Sequence, residues 1–331
     1  MDSAKMTGGS DGAGISDMEV SPAADFPSFQ KNLAALSGGT EPLRWTRPVC
    51  TGGEWISVGM VPDDPARIGV LVSLDSASGD GAIREIRFVS YDRLYADALQ
   101  TAALCCRALT GETVTLHTPE AKETTLTLNG ATLTAQHLTH EESSLVYDRI
   151  RLTPDSVPPK REEIREPGEE EEIYGFDSDI TAAVLDERLA RMTEAVLPEG
   201  YTLTLVHTGV DQGSLTRVYM LSNSSTGVIV YLNGKDEETA TVSMIAVMDF
   251  TGDAPAVLGA TMLMYAIAAD QDEFENMAMS YLLIETPMWS ELADLWPLLS
   301  RDGVCAFLQN MGEDEDDWVP AGFVCAAPGN D

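Results

Sequence analysis

Gly69-Val-Leu-Val-Ser-Leu-Asp75 and Gly227-Val-Ile-Val-Tyr-Leu-Asn233 are the two stretches on which the reading of this chain turns. Four of their seven positions are identical, and 158 positions separate them. Each is a short apolar run bounded by turn residues, the pattern of a strand buried in a sheet. Each is followed by a reversal, Ser78-Gly79-Asp80-Gly81 in the first and Asn233-Gly234-Lys235-Asp236 in the second. Gly, Asn and Asp supply the positive-φ positions that a tight hairpin needs. A second strand then follows in both places: Ile83-Arg-Glu-Ile-Arg-Phe-Val89 and Val242-Ser-Met-Ile-Ala-Val-Met248.

The correspondence extends outward from these hairpins. Leu94, Ala98, Thr101, Ala102, Cys105 and Leu109 recur at helical spacing after the first, and Leu258, Met262, Tyr265 and Ala269 after the second. Upstream, Phe29, Leu33 and Leu36 are answered by Leu185, Leu189 and Met192. Downstream, the turn Asn129-Gly130 is answered by Asp302-Gly303, and Arg149-Ile-Arg-Leu-Thr-Pro154 by Phe323-Val-Cys-Ala-Ala-Pro328. The wider spacing of that last match assigns the second copy an extra helical segment at 289–299.

The expected fold class is therefore α+β, a tandem duplication of one module with a mostly antiparallel sheet packed against helices. The competing reading is two unrelated α+β domains that share common turn chemistry. The expected organisation is a flexible leader at 1–24, a first module at 25–153, a Pro/Glu-rich linker at 154–179, a second module at 180–328 and a tail at 329–331. The linker rests on Pro154, Pro158, Pro159, Pro167 and the run Glu169-Glu170-Glu171-Glu172, because prolines stop regular structure and like charges extend the chain.

Charge narrows the partners. Lys and Arg number 20 against 54 Asp and Glu, a net of −34. Residues 1–150 hold 11 basic and 20 acidic residues, so −25 of that charge falls after Ile150. Such a surface repels phosphate backbones, so nucleic acid and anionic lipid are poor candidates as partners. A protein partner, basic in character, suits it better; simple solubility is the plain alternative. No apolar run approaches the ~20 residues of a membrane helix. The Gly-, Ser- and Asp-rich start lacks the pattern of a signal peptide. A chain starting natively at Met1 is expected in the cytoplasm, and one from which a leader was removed in the envelope or outside the cell.

Candidate sites are sparse. His137-Leu-Thr-His140 with Glu141 and Glu142 lacks the i, i+4 spacing of a helical metal motif, and a polar turn accounts for it equally. His117 and His207 have no nucleophile motif to serve, since no GxSxG elbow is present. The acidic run Glu313-Asp314-Glu315-Asp316-Asp317 lacks the alternating ligands and central glycine of a calcium loop. No cofactor, metal or catalytic residue is indicated.

Of the five cysteines, Cys50, Cys105 and Cys106 read as small buried hydrophobes. Cys305 and Cys325 are each ten positions from Glu315. If the chain reverses there as a hairpin, the two thiols face each other across the ladder, close enough to bridge under oxidation. Two independently buried thiols are the alternative.

The run Gly-Val-Ile-Val, a turn, Val-Ser-Met-Ile-Ala-Val-Met and then Phe250-Thr-Gly-Asp253 before an Ala-rich helix resembles small secreted or lipoprotein α+β modules of bacteria. The helix–strands–helix–strands order and the acidity also resemble type III secretion chaperones, whose dimer a tandem pair would imitate. The first resemblance implies no catalytic residues, and the second implies a chaperone for secreted proteins. The leading expectation is a non-enzymatic binding protein of bacterial type. The expectation from another class is a hydrolase or lyase with a carboxylate-based site between the modules.

Overall fold

The computed structural model describes residues 18–61, 68–89, 96–117, 123–139, 146–156, 178–196, 201–249 (except 212 and 223), 251–283, 292, 297–312 and 319–326. Most of the expected linker and the acidic run 313–317 lie outside the described residues.

The first half opens with α1 (Phe26–Leu36). Asp25 caps it by accepting a hydrogen bond from the Ser28 amide at 2.8 Å, Pro27 sits in its first turn, and Phe26, Phe29, Leu33 and Leu36 form its buried stripe. There follow β1 (Arg44–Trp45), β2 (Val49–Thr51), β3 (Glu54–Met60), β4 (Gly69–Leu74), β5 (Ile83–Val89), α2 (Ala96–Thr110), β6 (Thr124–Leu128), β7 (Ala131–Thr139) and β8 (Val146–Pro154). The second half comprises α3 (Ala182–Val196), β9 (Leu203–Asp211), β10 (Ser214–Leu221), β11 (Thr226–Asn233), β12 (Thr241–Asp249), α4 (Ala254–Ala268), α5 (Glu273–Leu282), β13 (Leu299–Arg301), β14 (Val304–Asn310) and β15 (Pro320–Ala326).

The protein is thus of mixed α+β class, as expected. Its strands form a single antiparallel sheet in the order β6-β7-β8-β5-β4-β3-β2-β13-β14-β15-β12-β11-β10-β9, with β1 pairing on β3. The two halves meet where Ser300 of β13 pairs with Cys50 of β2. Within each half the pairing order is the same: four strands as successive hairpins, a helical connection, then three strands returning beside the fourth.

Register assigns the faces, because directly opposed residues of an antiparallel pair point the same way. Val70, Val72, Leu74, Ile86, Phe88, Leu133, Ile150 and Leu152 pack with α1 and α2 on one face. Val228, Val230, Val242, Ile245, Val324, Ala306 and Leu299 pack with α3, α4 and α5 on the other. That second core continues into the first half through Val49, Ile56, Val58, Met60 and Leu71. Helix α5 carries it across: Gly69 of β4 lies so close to the Tyr281 ring that no side chain would fit between them.

Three expectations need correction. Residues 18–24 were expected in a flexible leader, yet Ala23 donates to the Leu109 carbonyl at 2.9 Å and Arg107 donates to that of Met18 at 2.8 Å, tying the segment to the end of α2. Of the segment 289–299 expected as helical, only Leu292 and 297–299 are described and β13 begins at Leu299, while α5 at Glu273–Leu282 was not expected. Its Asp272 N-cap, accepting from the Glu275 amide at 2.8 Å, was a sequence signal available to place it. Lastly, Leu152 pairs with Ile86 and Val324 with Ile245, so β15 matches β8 at an offset of 172 rather than 174. The shared terminal proline had drawn the match two residues out of register.

The apolar run 254–269 was expected to be a buried helix, and α4 is one: Ala256, Val257, Ala260, Leu263, Met264, Tyr265 and Ile267 are buried, whereas Leu258 and Met262 of the expected stripe are half-buried. The helix is sandwiched between the sheet and α3 and α5, and a helix apolar all round is the type that such a position selects.

Candidate binding surface

The face of the second-half sheet opposite α3, α4 and α5 is apolar. On β12, Met244, Ala246 and Met248 alternate with the core residues Ile245 and Val247 and so point to this face. Tyr231 lies opposite Met244, and Ile229 opposite both Ala246 and Val218. In the other direction Ala246 pairs with Phe323, and Phe323 with Phe307, their rings stacked with centroids 5.1 Å apart. The buried cluster here, Ala246, Cys305, Phe307, Ala321, Phe323 and Cys325 with Tyr231 and Met248 against it, consists of strand residues alone. Val218, Met220, Ile229, Tyr231, Met244 and Met248 are half-buried.

The corresponding ladder positions of the first half are polar. Glu85 and Arg87 stand where Met244 and Ala246 do; Arg149 and Arg151 match Ala321 and Phe323; Thr132 and Thr134 match Cys305 and Phe307. They form a charged lattice, with Arg151 to Glu85 at 3.0 Å, Arg87 to Glu85 at 3.7 Å and Arg149 donating to Gln136 at 2.7 Å. One sheet position is therefore polar in one half and apolar in the other. A face of a two-layer fold that meets only water is polar, and a contiguous apolar face marks a contact surface.

Cys305 and Cys325 lie in this face. They are register partners on β14 and β15, buried, with Sγ atoms 3.6 Å apart and both thiols free. Cys50 is buried in β2, and Cys105 and Cys106 are buried in α2.

The histidines do not converge. His117 is exposed, His137 is half-buried on β7, and His207 is exposed on β9; His140, Glu141 and Glu142 lie outside the described residues. Among the described residues, no group of three His, Cys, Asp or Glu is placed to hold a metal ion.

The two most perturbed carboxylates are held by structural partners. Burial works to raise the pKa of Glu275, but hydrogen bonds from Arg47 and the charge of Arg301 outweigh it and hold the group down at about 2. Arg47 reaches it from the first half at 3.0 Å and Arg301 from the second at 3.0 Å, so this buried carboxylate joins the halves. Asp249 is likewise held at about 2: burial opposes ionisation, and donation from Thr226 at 2.6 Å and from the Thr251 hydroxyl at 2.8 Å overcomes it. It ties β11 and β12 to the entrance of α4. Carboxylates this acidic stay ionised and exchange protons poorly near neutrality. Sequence reasoning missed both: the partners of Glu275 lie far along the chain, and the hydroxyls around Asp249 form no recognised motif.

No family model matches the chain, and no curated protein or solved structure shows significant similarity to it.

Proposed function

We propose that the protein is a non-enzymatic binding protein that docks a basic protein segment on the half-buried apolar residues of β10, β11 and β12, which continue the buried cluster of β14 and β15. The contrast between equivalent positions carries this reading: a lattice of Arg, Glu and Thr in the first half gives way to Met, Phe, Tyr and Cys in the second. Three methionines on that face, Met220, Met244 and Met248, suit a surface that adapts to varied side chains. The excess of acid over base after Ile150, net −25, favours a partner bearing Lys or Arg beside its apolar residues.

The same proposal includes a common origin for the halves. Their pairing order agrees, and the ladders β4·β5 and β11·β12 each carry an irregularity at matched positions, Ser73/Leu74 and Tyr231/Leu232. Met60 pairs with Gly69 as Met220 pairs with Gly227. On this reading, one copy kept a polar face and the other became a contact face.

The test is fluorescence anisotropy with a labelled 15-residue peptide alternating Lys or Arg with Leu or Phe, against a counterpart in which Glu replaces each base. Binding of the basic peptide is expected to weaken at least tenfold in Val218→Glu and Met248→Glu, and to be unchanged in Thr134→Glu on the polar face. Equal binding of the acidic peptide, or full binding by both face variants, would overturn the proposal.

A further inference from the structure

We propose that Cys305 and Cys325 form a redox site, a dithiol that a small hydroperoxide converts to a cross-strand disulfide and a dithiol reductant reopens. The proposal stands on the ladder and does not depend on the docking reading.

The two cysteines are directly opposed in an antiparallel pair, and their sulfurs are 3.6 Å apart. Directly opposed Cα atoms lie ~4.5 or ~5.5 Å apart according to the type of pair. Both spacings fall in the range a disulfide spans, so closure needs a rotation about the side-chain bonds and no movement of strands. The remaining thiols are poorly placed. Cys50 lies in the same cross-strand row but on the far side of Ser300, about 10 Å from Cys305 at two strand spacings. Cys105 and Cys106 are neighbours on α2, where successive side chains diverge.

The pair is also chemically unequal. Donation from the Cys305 thiol holds Cys325 below the usual thiol range, whereas burial pushes Cys50 and Cys106 up to about 12. Cys325 is also the less deeply buried of the two, 3% exposed against 0% for Cys305, and is the attacking sulfur. Its thiolate takes the terminal oxygen of the hydroperoxide; the O–O bond breaks and the alcohol or water departs with a proton, leaving a sulfenic acid. The Cys305 sulfur then attacks the Cys325 sulfur, the S–O bond breaks and water leaves. Two thiols have lost two protons and two electrons, and the hydroperoxide has taken up both pairs to leave as the alcohol (or water) and water. Thiol–disulfide exchange with a dithiol reverses the change.

The full reduced chain is treated with graded hydrogen peroxide, its free thiols are blocked by alkylation, and the product is cleaved in the acidic stretch 313–317. That cut places the two cysteines on separate peptides. Five free thiols are expected to fall to three, with a 305–325 cross-link that dithiothreitol removes. Cys50→Ser is expected to leave the cross-link intact, and Cys305→Ser to leave Cys325 oxidised without a partner. Retention of all five thiols by the folded wild-type protein, a cross-link involving Cys50, or sulfinic acid at Cys325 in the wild type would overturn the proposal. The wild-type map decides the matter even where a variant fails to fold.

Discussion

Glu275 shows how much one side chain can hold. It accepts from Arg47 of β2's flank and from Arg301 of β13, and it is buried with Arg301. Removing one partner from such a cluster leaves charge buried without compensation, which costs about 3–5 kcal/mol. Glu275→Ala is therefore expected to lower the denaturant midpoint by that order, as measured in urea by circular dichroism. The pH dependence follows from the same geometry. The folded pKa of about 2 lies below the value near 4.3 of an unfolded glutamate, so the stabilisation is complete above about pH 5 and is lost as pH falls through about 2. Acid titration should show Glu275→Gln losing part of the wild-type slope between pH 5 and 2. None of this was legible in the sequence: among 54 acidic residues, nothing marks the one whose partners lie 228 positions upstream and 26 downstream. The thiol pair was legible, because a hairpin is symmetric about its turn and Cys305 and Cys325 are equidistant from Glu315.

Hairpins and helices set the next scale. Gly69 and Gly322 are required by close approach: a side chain at the first would strike Tyr281 of α5, and at the second Thr261 of α4. Gly69→Val is expected to cost about 1–3 kcal/mol through overpacking and to loosen α5 from the first half, visible as faster amide exchange in 273–282. Gly322→Val should cost a similar amount without that local effect. A disulfide between β14 and β15 would close a loop of about 20 residues and stabilise the oxidised chain by about 3 kcal/mol, measured as a difference in urea midpoint with and without reductant. Most elements were readable, since hairpins and capped helices are written locally in glycines, aspartates and apolar spacing. Helix α5 was not, because its clearest local signal is the single Asp272 cap.

The whole molecule behaves as one sheet. Its larger core takes residues from both halves, from Val49 and Met60 to Ile245 and Val324. Far-ultraviolet circular dichroism and tryptophan fluorescence should report coincident unfolding, with no step in which one half melts alone. A net charge of −34 repels itself, so the melting temperature should rise with sodium chloride between about 50 and 500 mM as that repulsion is screened. A fall would mean that exposed ion pairs outweigh the repulsion.

The amino-acid order alone determined the α+β class, the hairpins and the net acidity, because turn chemistry and periodicity act over a few residues and charge is a matter of composition. Only the tertiary structure decided how the halves join. They share a strand order, and β2 meets β13 antiparallel, which for units of the same hand turns the second half over and places its helices on the opposite face. That inversion, stitched by Glu275 and covered by α5, leaves an apolar face beside the helices of the first half. No local rule predicts it, because it depends on which edges pair across a long stretch of chain.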